Sequence, residues 1–188
     1  MKKVLLHACC APCSSAILEW MLNIDYQVVL YFCNPNIYPQ EEYELRKSEL
    51  IKYAEKLNVE FIDDDYNHAD WLAFIKGLEQ EKERGPRCLM CFKYRLLKTA
   101  HKALELGIEE FTTTLASSRW KSLNQINEAG VWAVQQIKEE LNAQGATLKF
   151  DDRNWRKGGL QQRRSELLKE NGFYNQLYCG CEFSMNNI

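Results

Sequence analysis

Eight cysteines in 188 residues fall mainly into three runs: CCAPC (Cys9, Cys10, Cys13), CLMC (Cys88, Cys91) and CGC (Cys179, Cys181). A disulfide framework mostly joins cysteines distant in sequence. Here Cys9 and Cys10 are adjacent and Cys179 and Cys181 stand one residue apart, which suits metal ligands or redox groups where thiols stay reduced. Cys88 and Cys91, at i and i+3, share one face of a helix, the spacing used in zinc and iron–sulfur ligation. Adjacent cysteines on a strand point to opposite faces. At a sharp strand-to-helix turn both thiolates converge on one centre, and the positive helix end favours them. Cys9, Cys10, Cys88 and Cys91 therefore make a four-thiolate set suited to a [4Fe–4S] cluster or Zn²⁺. Cys13, Cys179 and Cys181 exceed what one such site needs, which moves the balance from structural zinc toward redox work. A CxC pair can close a small disulfide ring of the labile, catalytic kind and so hold two electrons. Cys33 ends an apolar run with no partner motif and reads as core.

Acid–base candidates are fewer. His7 precedes the first cysteine run on its strand, where packing inside the protein accounts for it equally well. Asp63, Asp64 and Asp65 end a strand at the same sheet edge and either turn one carboxylate to the site or, as three acids in a row more often do, form a solvated turn or helix cap. His68 and His101 show no usable pairing.

The net charge of −2 hides a separation of sign. Residues 84–102 carry Arg84, Arg87, Lys93, Arg95, Lys98 and Lys102 with no acid, and residues 153–164 carry Arg153, Arg156, Lys157, Arg163 and Arg164, again with none. Acidic residues gather in 41–65 and 79–83. Such segregation fits either a phosphate-binding face or solvated helix faces. Trp120 and Trp155 are candidates for stacking on unpaired bases and, equally, for the core.

These residues need elements to position them. Lys3–Ala8, Gln27–Phe32 and Val59–Asp63 read as buried strands, with helices after Pro12 and over about Gln40–Leu57 between them. Such β-α-β-α-β order with uniformly apolar strands points to a parallel sheet with right-handed crossovers. A helix is expected over His68–Arg84, another from Cys88 to Leu106, a fourth strand at Glu110–Leu115 and a helix through about Leu141. A short strand at Thr147–Phe150 and a helix over Leu160–Glu170 complete the pattern. The fold class is α/β, a Rossmann-like three-layer parallel sheet forming one domain over residues 1–188. Ligands of such sheets bind beyond the carboxyl ends of the strands, where CCAPC falls, so the iron–sulfur active site is expected at that edge. An apolar content of 46% with 27% charged residues is ordinary for a globular domain. No apolar run reaches the length of a membrane span, and MKKVLLHACC reads as a buried strand rather than an export signal. A cytoplasmic protein with no membrane partner is expected.

HACCAPCS, NPNIYPQEEYELRK, GPRCLMCFKYRL, TTTLASSRWKS and YCGC, in that order along essentially the whole chain, resemble the cobalamin-independent epoxyqueuosine reductases (the QueH family). The resemblance implies an oxidoreductase of the last step of queuosine biosynthesis. Its substrate would be a tRNA with a GUN anticodon carrying epoxyqueuosine, whose epoxide is reduced to the cyclopentene with electrons from a separate donor. It implies that Cys9, Cys10, Cys88 and Cys91 bind a [4Fe–4S] cluster and that Cys179 and Cys181 are a redox-active catalytic pair. Cys13 falls where some members carry Asp. As both residue types bind iron, the resemblance makes Cys13 a candidate catalytic ligand to an additional mononuclear iron. The family is related to the adenine nucleotide α-hydrolase (HUP) domains of ATP-dependent tRNA-modifying enzymes. CCAPCSS stands where those carry a Gly-rich phosphate loop, so no ATP is expected. Two alternatives are an iron–sulfur tRNA thiolation enzyme on the same fold, which should need ATP, and a zinc RNA-binding module, which leaves the surplus cysteines unused.

Overall fold

The computed structural model describes residues 2–187. In chain order these form β1 (Lys2–His7), α1 (Ala11–Asn23), β2 (Tyr26–Phe32), α2 (Gln40–Lys56), β3 (Glu60–Asp63), α3 (His68–Phe74) and α4 (Pro86–Glu105). β4 (Glu110–Thr113), α5 (Leu123–Gln136), α6 (Lys138–Gln144), β5 (Lys149–Phe150) and α7 (Leu160–Asn171) follow, with 3₁₀ turns at Thr114–Ser117 and Glu182–Asn187.

Val4, Leu5 and Leu6 are apolar and fully buried, so β1 can only lie inside a sheet covered on both faces. It pairs in parallel with β2 (Leu5 opposite Val29) and with β4 (Leu5 opposite Phe111), and the full order is β3-β2-β1-β4-β5. All the strand pairings are parallel. The chain builds outward from β1 on one side, then crosses to build β4 and β5 on the other. The order reverses beside β1, which opens a crevice between the carboxyl ends of β1 and β4. Helices α1, α2 and α7 contact one another, while α4 packs along α5 and against α3, β1 and β4.

α4 starts at Pro86 behind Gly85, and Phe92, Leu96, Ala100 and Ala103 are buried along it. Proline at the first helical position supplies a preset φ where no backbone donor is needed. α5 comes close to β5 at Gly130, where a Cβ would stand 2.3 Å from the Phe150 ring.

The expected helix over His68–Arg84 is shorter. Asn67 caps α3 by accepting from the Asp70 amide, and the helix ends at Phe74. Gly77 (φ +88) and Arg84 (φ +64) lie in the left-handed region, which no helix interior tolerates. The helix expected through about Leu141 is broken at buried Ile137 into α5 and α6.

A candidate metal and redox site at the sheet edge

Beyond β1 the chain turns sharply. The Cys9 amide donates to Thr114 Oγ1 at 3.2 Å, which ties the turn to the segment leaving β4. Cys10 is the extended N-cap of α1, and its carbonyl accepts from the Ser14 amide and, at 2.7 Å, from Ser14 Oγ. Cys9 Sγ and Cys10 Sγ are 3.7 Å apart, and the sulfurs of Cys9, Cys10 and Cys13 all lie within 4.8 Å of one another, a spacing that could hold a metal ion. Hydrogen bonds from the Cys10 and Cys13 thiols hold the Cys9 thiol well below its usual range, and the same contacts with burial push Cys10 up.

Cys88 and Cys91 project from the first turns of α4 into the same cavity, of about 690 Å³, that Cys9, Cys10 and Cys13 line. The Arg84 amide donates to Cys88 Sγ at 3.2 Å, and burial pushes the Cys88 thiol up to about 11. Cys179 and Cys181 reach the cavity from the segment after α7. Gly180 between them has φ +107, and a Cβ there would meet Arg46 Nη1 at 2.9 Å, so only glycine fits. The Tyr38 amide donates to the Gly180 carbonyl at 2.8 Å. Arg46, almost wholly buried, donates to the carbonyls of Cys179 (3.2 Å) and Tyr178 (3.3 Å) while paired with Glu42 at 2.7 Å. The cysteines of all three runs thus line one cavity, and all eight cysteines are free thiols.

Cys33 lies apart from the cavity, buried at the end of β2 with its thiol on Asp64 Oδ2 at 3.3 Å, as its core reading expects. His7 is fully buried, with Nδ1 2.7 Å from Thr113 Oγ1 and Nε2 3.0 Å from the Cys33 carbonyl. Burial and the Arg95 charge push its pKa down to about 3. The carbonyl only accepts, so His7 is a neutral imidazole protonated at Nε2 that ties β1 to β2 and β4.

Several expectations change. Asp63 accepts from Tyr43 and Lys47, and Asp64 from Tyr31 and Cys33, so both are internal acceptors at the sheet edge away from the cavity. His68 does pair: Nε2 meets Glu182 at 2.8 Å, and the ring stacks against Tyr38, Tyr66 and Trp71. His101 meets Glu140 at 3.4 Å on the surface. Trp155 is fully buried, packed edge-on against Trp20 with its N–H on Thr112, and cannot stack on a base. Of the basic residues on α4, Arg87 and Arg95 are buried, while Lys93, Lys98 and Lys102 are partly or well exposed. Arg87 holds the carbonyls of Glu79 and Glu81, Arg95 holds the Cys33 carbonyl and Asn34, and Lys93, Lys98 and Lys102 face carboxylates. Arg163 is spent on Glu19, Glu166 and Glu170.

Arg46 and Lys121 fall within the runs NPNIYPQEEYELRK and TTTLASSRWKS, but neither is singled out there as a site residue. Arg46 interrupts the buried stripe Tyr43, Leu50, Tyr53 and Ala54 of α2, and a charge in an apolar stripe is a legible signal of an internal role. Lys121, in the segment between β4 and α5, lines the cavity. Burial would lower its pKa, but Cys179, Cys9 and Cys13 outweigh that and raise it.

A model of the epoxyqueuosine reductase QueH family matches residues 4–187. The chain belongs to that family. Proteins named epoxyqueuosine reductase QueH from Histophilus somni (45% identical, 98% of this chain and 73% of theirs), Haemophilus influenzae (44%, 98% and 72%) and Acinetobacter baylyi (43%, 98% and 81%) are among its relatives. QueH proteins are oxidoreductases, so this chain is an enzyme of that class. A crystal structure described as a predicted subunit of tRNA methyltransferase from Methanocaldococcus jannaschii superposes with a TM-score of 0.58 over 94% of each chain at 14% identity, a likeness of fold alone. Among the described residues no helix is long and apolar enough to cross a membrane.

Proposed function

We propose that this chain reduces the epoxide of epoxyqueuosine at the wobble position of a tRNA anticodon to the cyclopentene of queuosine. The observation that carries the reading is the convergence of seven of the eight cysteines, from three distant runs, on one cavity. The residues fit an iron–sulfur site. The donors are thiols, three of their sulfurs already lie within 4.8 Å of one another, and Arg46, Arg95 and Lys121 line the cavity to offset thiolate charge. Cys9, Cys10, Cys88 and Cys91 would hold a [4Fe–4S] cluster, with Cys13 the candidate ligand to an additional mononuclear iron. Bound there, such groups supply single electrons and a Lewis acid for the epoxide oxygen.

The chain's own part follows from its groups. The reaction takes two electrons and two protons and releases water. Two thiols, Cys179 and Cys181, supply both electrons and both protons in closing to a disulfide, and a separate donor reopens it. Arg46 and Gly180 hold that pair at the cavity wall. Lys121 places a positive charge beside the cysteines, where an alkoxide developing from the epoxide would be stabilised. Arg84, Arg119 and Arg164 also line the cavity, and with Lys121 they meet no carboxylate among the described residues; they suit anticodon phosphates. Trp120, 75% exposed and capped by Arg119 at 5.2 Å, offers an unpaired base a stacking surface. A tRNA substrate and free thiols fit a cytoplasmic setting.

The deciding experiment is an anaerobic reduction assay on epoxyqueuosine-containing tRNA with and without ATP. Brown protein with about four or more irons per chain and ATP-independent formation of queuosine are expected. A colourless, zinc-only protein or an absolute need for ATP defeats the reading.

A further inference from the structure

Trp71 sits in α3, fully buried, and its indole Nε1 has no hydrogen-bond partner. It lines the cavity with Cys91 and Cys181. With those two cysteines and Ile75 it forms a small apolar cluster separate from the main core. The ring is held in place, with His68 stacked at 5.3 Å and Phe183 at 6.2 Å. A buried N–H left unpaired is costly, and phenylalanine would fill most of this space without that cost. The donor therefore implies an acceptor of a kind that neutral protein does not supply. Arg95, which with Trp71 approaches the Cys91 sulfur, only donates. Thiol sulfur is a weak acceptor, whereas a metal-bound thiolate carries negative charge and accepts well.

We propose that Trp71 is a positioning residue for the metal centre: its indole N–H donates to Cys91 Sγ when that sulfur is a cluster ligand, and so raises the cluster's reduction potential. Hydrogen bonds to cluster sulfurs favour the more negative, reduced form. The effect favours electron entry into a site enclosed by protein, where burial alone would resist the added charge. The proposal rests on the cluster assignment made above.

The test is a redox titration of anaerobically reconstituted wild-type and Trp71→Phe protein followed by electron paramagnetic resonance, with proton couplings read before and after exchange into D₂O. The variant is expected to hold the same iron and to show a more negative midpoint potential. It should also lose an exchangeable proton coupling that the wild type displays. Site-specific replacement of Trp71 by benzothienylalanine keeps the bicycle and removes only the N–H, and should shift the potential the same way even where phenylalanine disturbs packing. An intact cluster with an unmoved potential in the isosteric variant overturns the proposal alone. A wild-type protein that takes up no iron–sulfur cluster overturns the parent assignment and this proposal together.

Discussion

Cys179 and Cys181 differ in setting although one residue separates them. Cys181 is almost fully buried and burial pushes its thiol up to about 12, whereas Cys179 is half-exposed. For a two-electron pair this division is useful, because the less buried residue can be attacked while the other is shielded. Cys179→Ser is expected to keep wild-type iron content and abolish turnover; full activity with a dithiol reductant would remove the pair from the mechanism. Glu49 offers a separate test of the same segment. Its Oε1 accepts from the Tyr174 amide at 2.6 Å while its buried Oε2 is unpartnered. Burial raises its pKa, so the folded protein binds that proton more tightly than the unfolded chain does. Stability is then lost as pH rises through the carboxylate range. Glu49→Gln keeps the acceptor and removes the charge, and should melt higher than wild type at pH 7, the gap closing toward pH 4. Residue roles are legible in the sequence where chemistry and spacing agree, as for the three cysteine runs and buried Cys33. The role of Trp71 is not, because a lone tryptophan carries no periodicity that separates a cavity wall from a core, and Lys121, though inside TTTLASSRWKS, has no spacing there that assigns it a role.

The elements around β1 follow from uniform burial of the strand and the proline-led turn into α1, both plain in the sequence. α3 is shorter than its sequence suggests because residues 75–84 are charged and lack proline, so nothing but Gly77 announces that the backbone leaves the helix there. The junction of α5 with β5 turns on one missing atom. A Cβ at position 130 would stand 2.3 Å from the Phe150 ring. Gly130→Ala gains about 1 kcal/mol of helix propensity but overpacks the junction, at a cost of about 1–3 kcal/mol. Because the overlap is with a ring seated in the core, a net loss of about 1–2 kcal/mol is expected in denaturant unfolding; an unchanged midpoint would mean that α5 shifts freely over β5.

Across the whole molecule the basic residues divide into two populations that sequence alone could not separate. Those on α4 serve as internal donors or ion-pair partners, Arg87 and Arg95 also on the cavity wall, and Arg84, Arg119, Lys121 and Arg164 line the cavity with no carboxylate partner among the described residues. The sequence does not separate Arg84 and Arg164 from the α4 group, since they fall in the two basic stretches, whereas Arg119 and Lys121 lie outside both. Arg164→Ala should weaken tRNA binding and reduce the dependence of log K on log salt by about 0.7–0.9 for each phosphate no longer neutralised. Lys102→Ala, which removes a surface partner of Glu105, should leave both unchanged. Equal slopes for the two variants would place the RNA elsewhere. The position of CCAPC beyond the carboxyl end of β1 was legible from the pattern of apolar strands, whereas the electrostatic frame of the cavity depends on Arg46, whose partners come from a segment over 130 residues away along the chain.

That clamp limits how electrons can travel. Releasing the CGC segment would strip two carbonyl acceptors from a buried guanidinium, each such charged hydrogen bond being worth about 1.5–3 kcal/mol, and would free Gly180 from its bond to the Tyr38 amide. The pair is therefore not a swinging arm that ferries reducing equivalents between stations. On the proposed function it would act as a fixed terminal, and a donor would have to bring its own thiol or cofactor to the cavity at Cys179 when the tRNA does not cover it. Reduction of the enzyme and binding of its substrate then become alternating occupations of a single doorway.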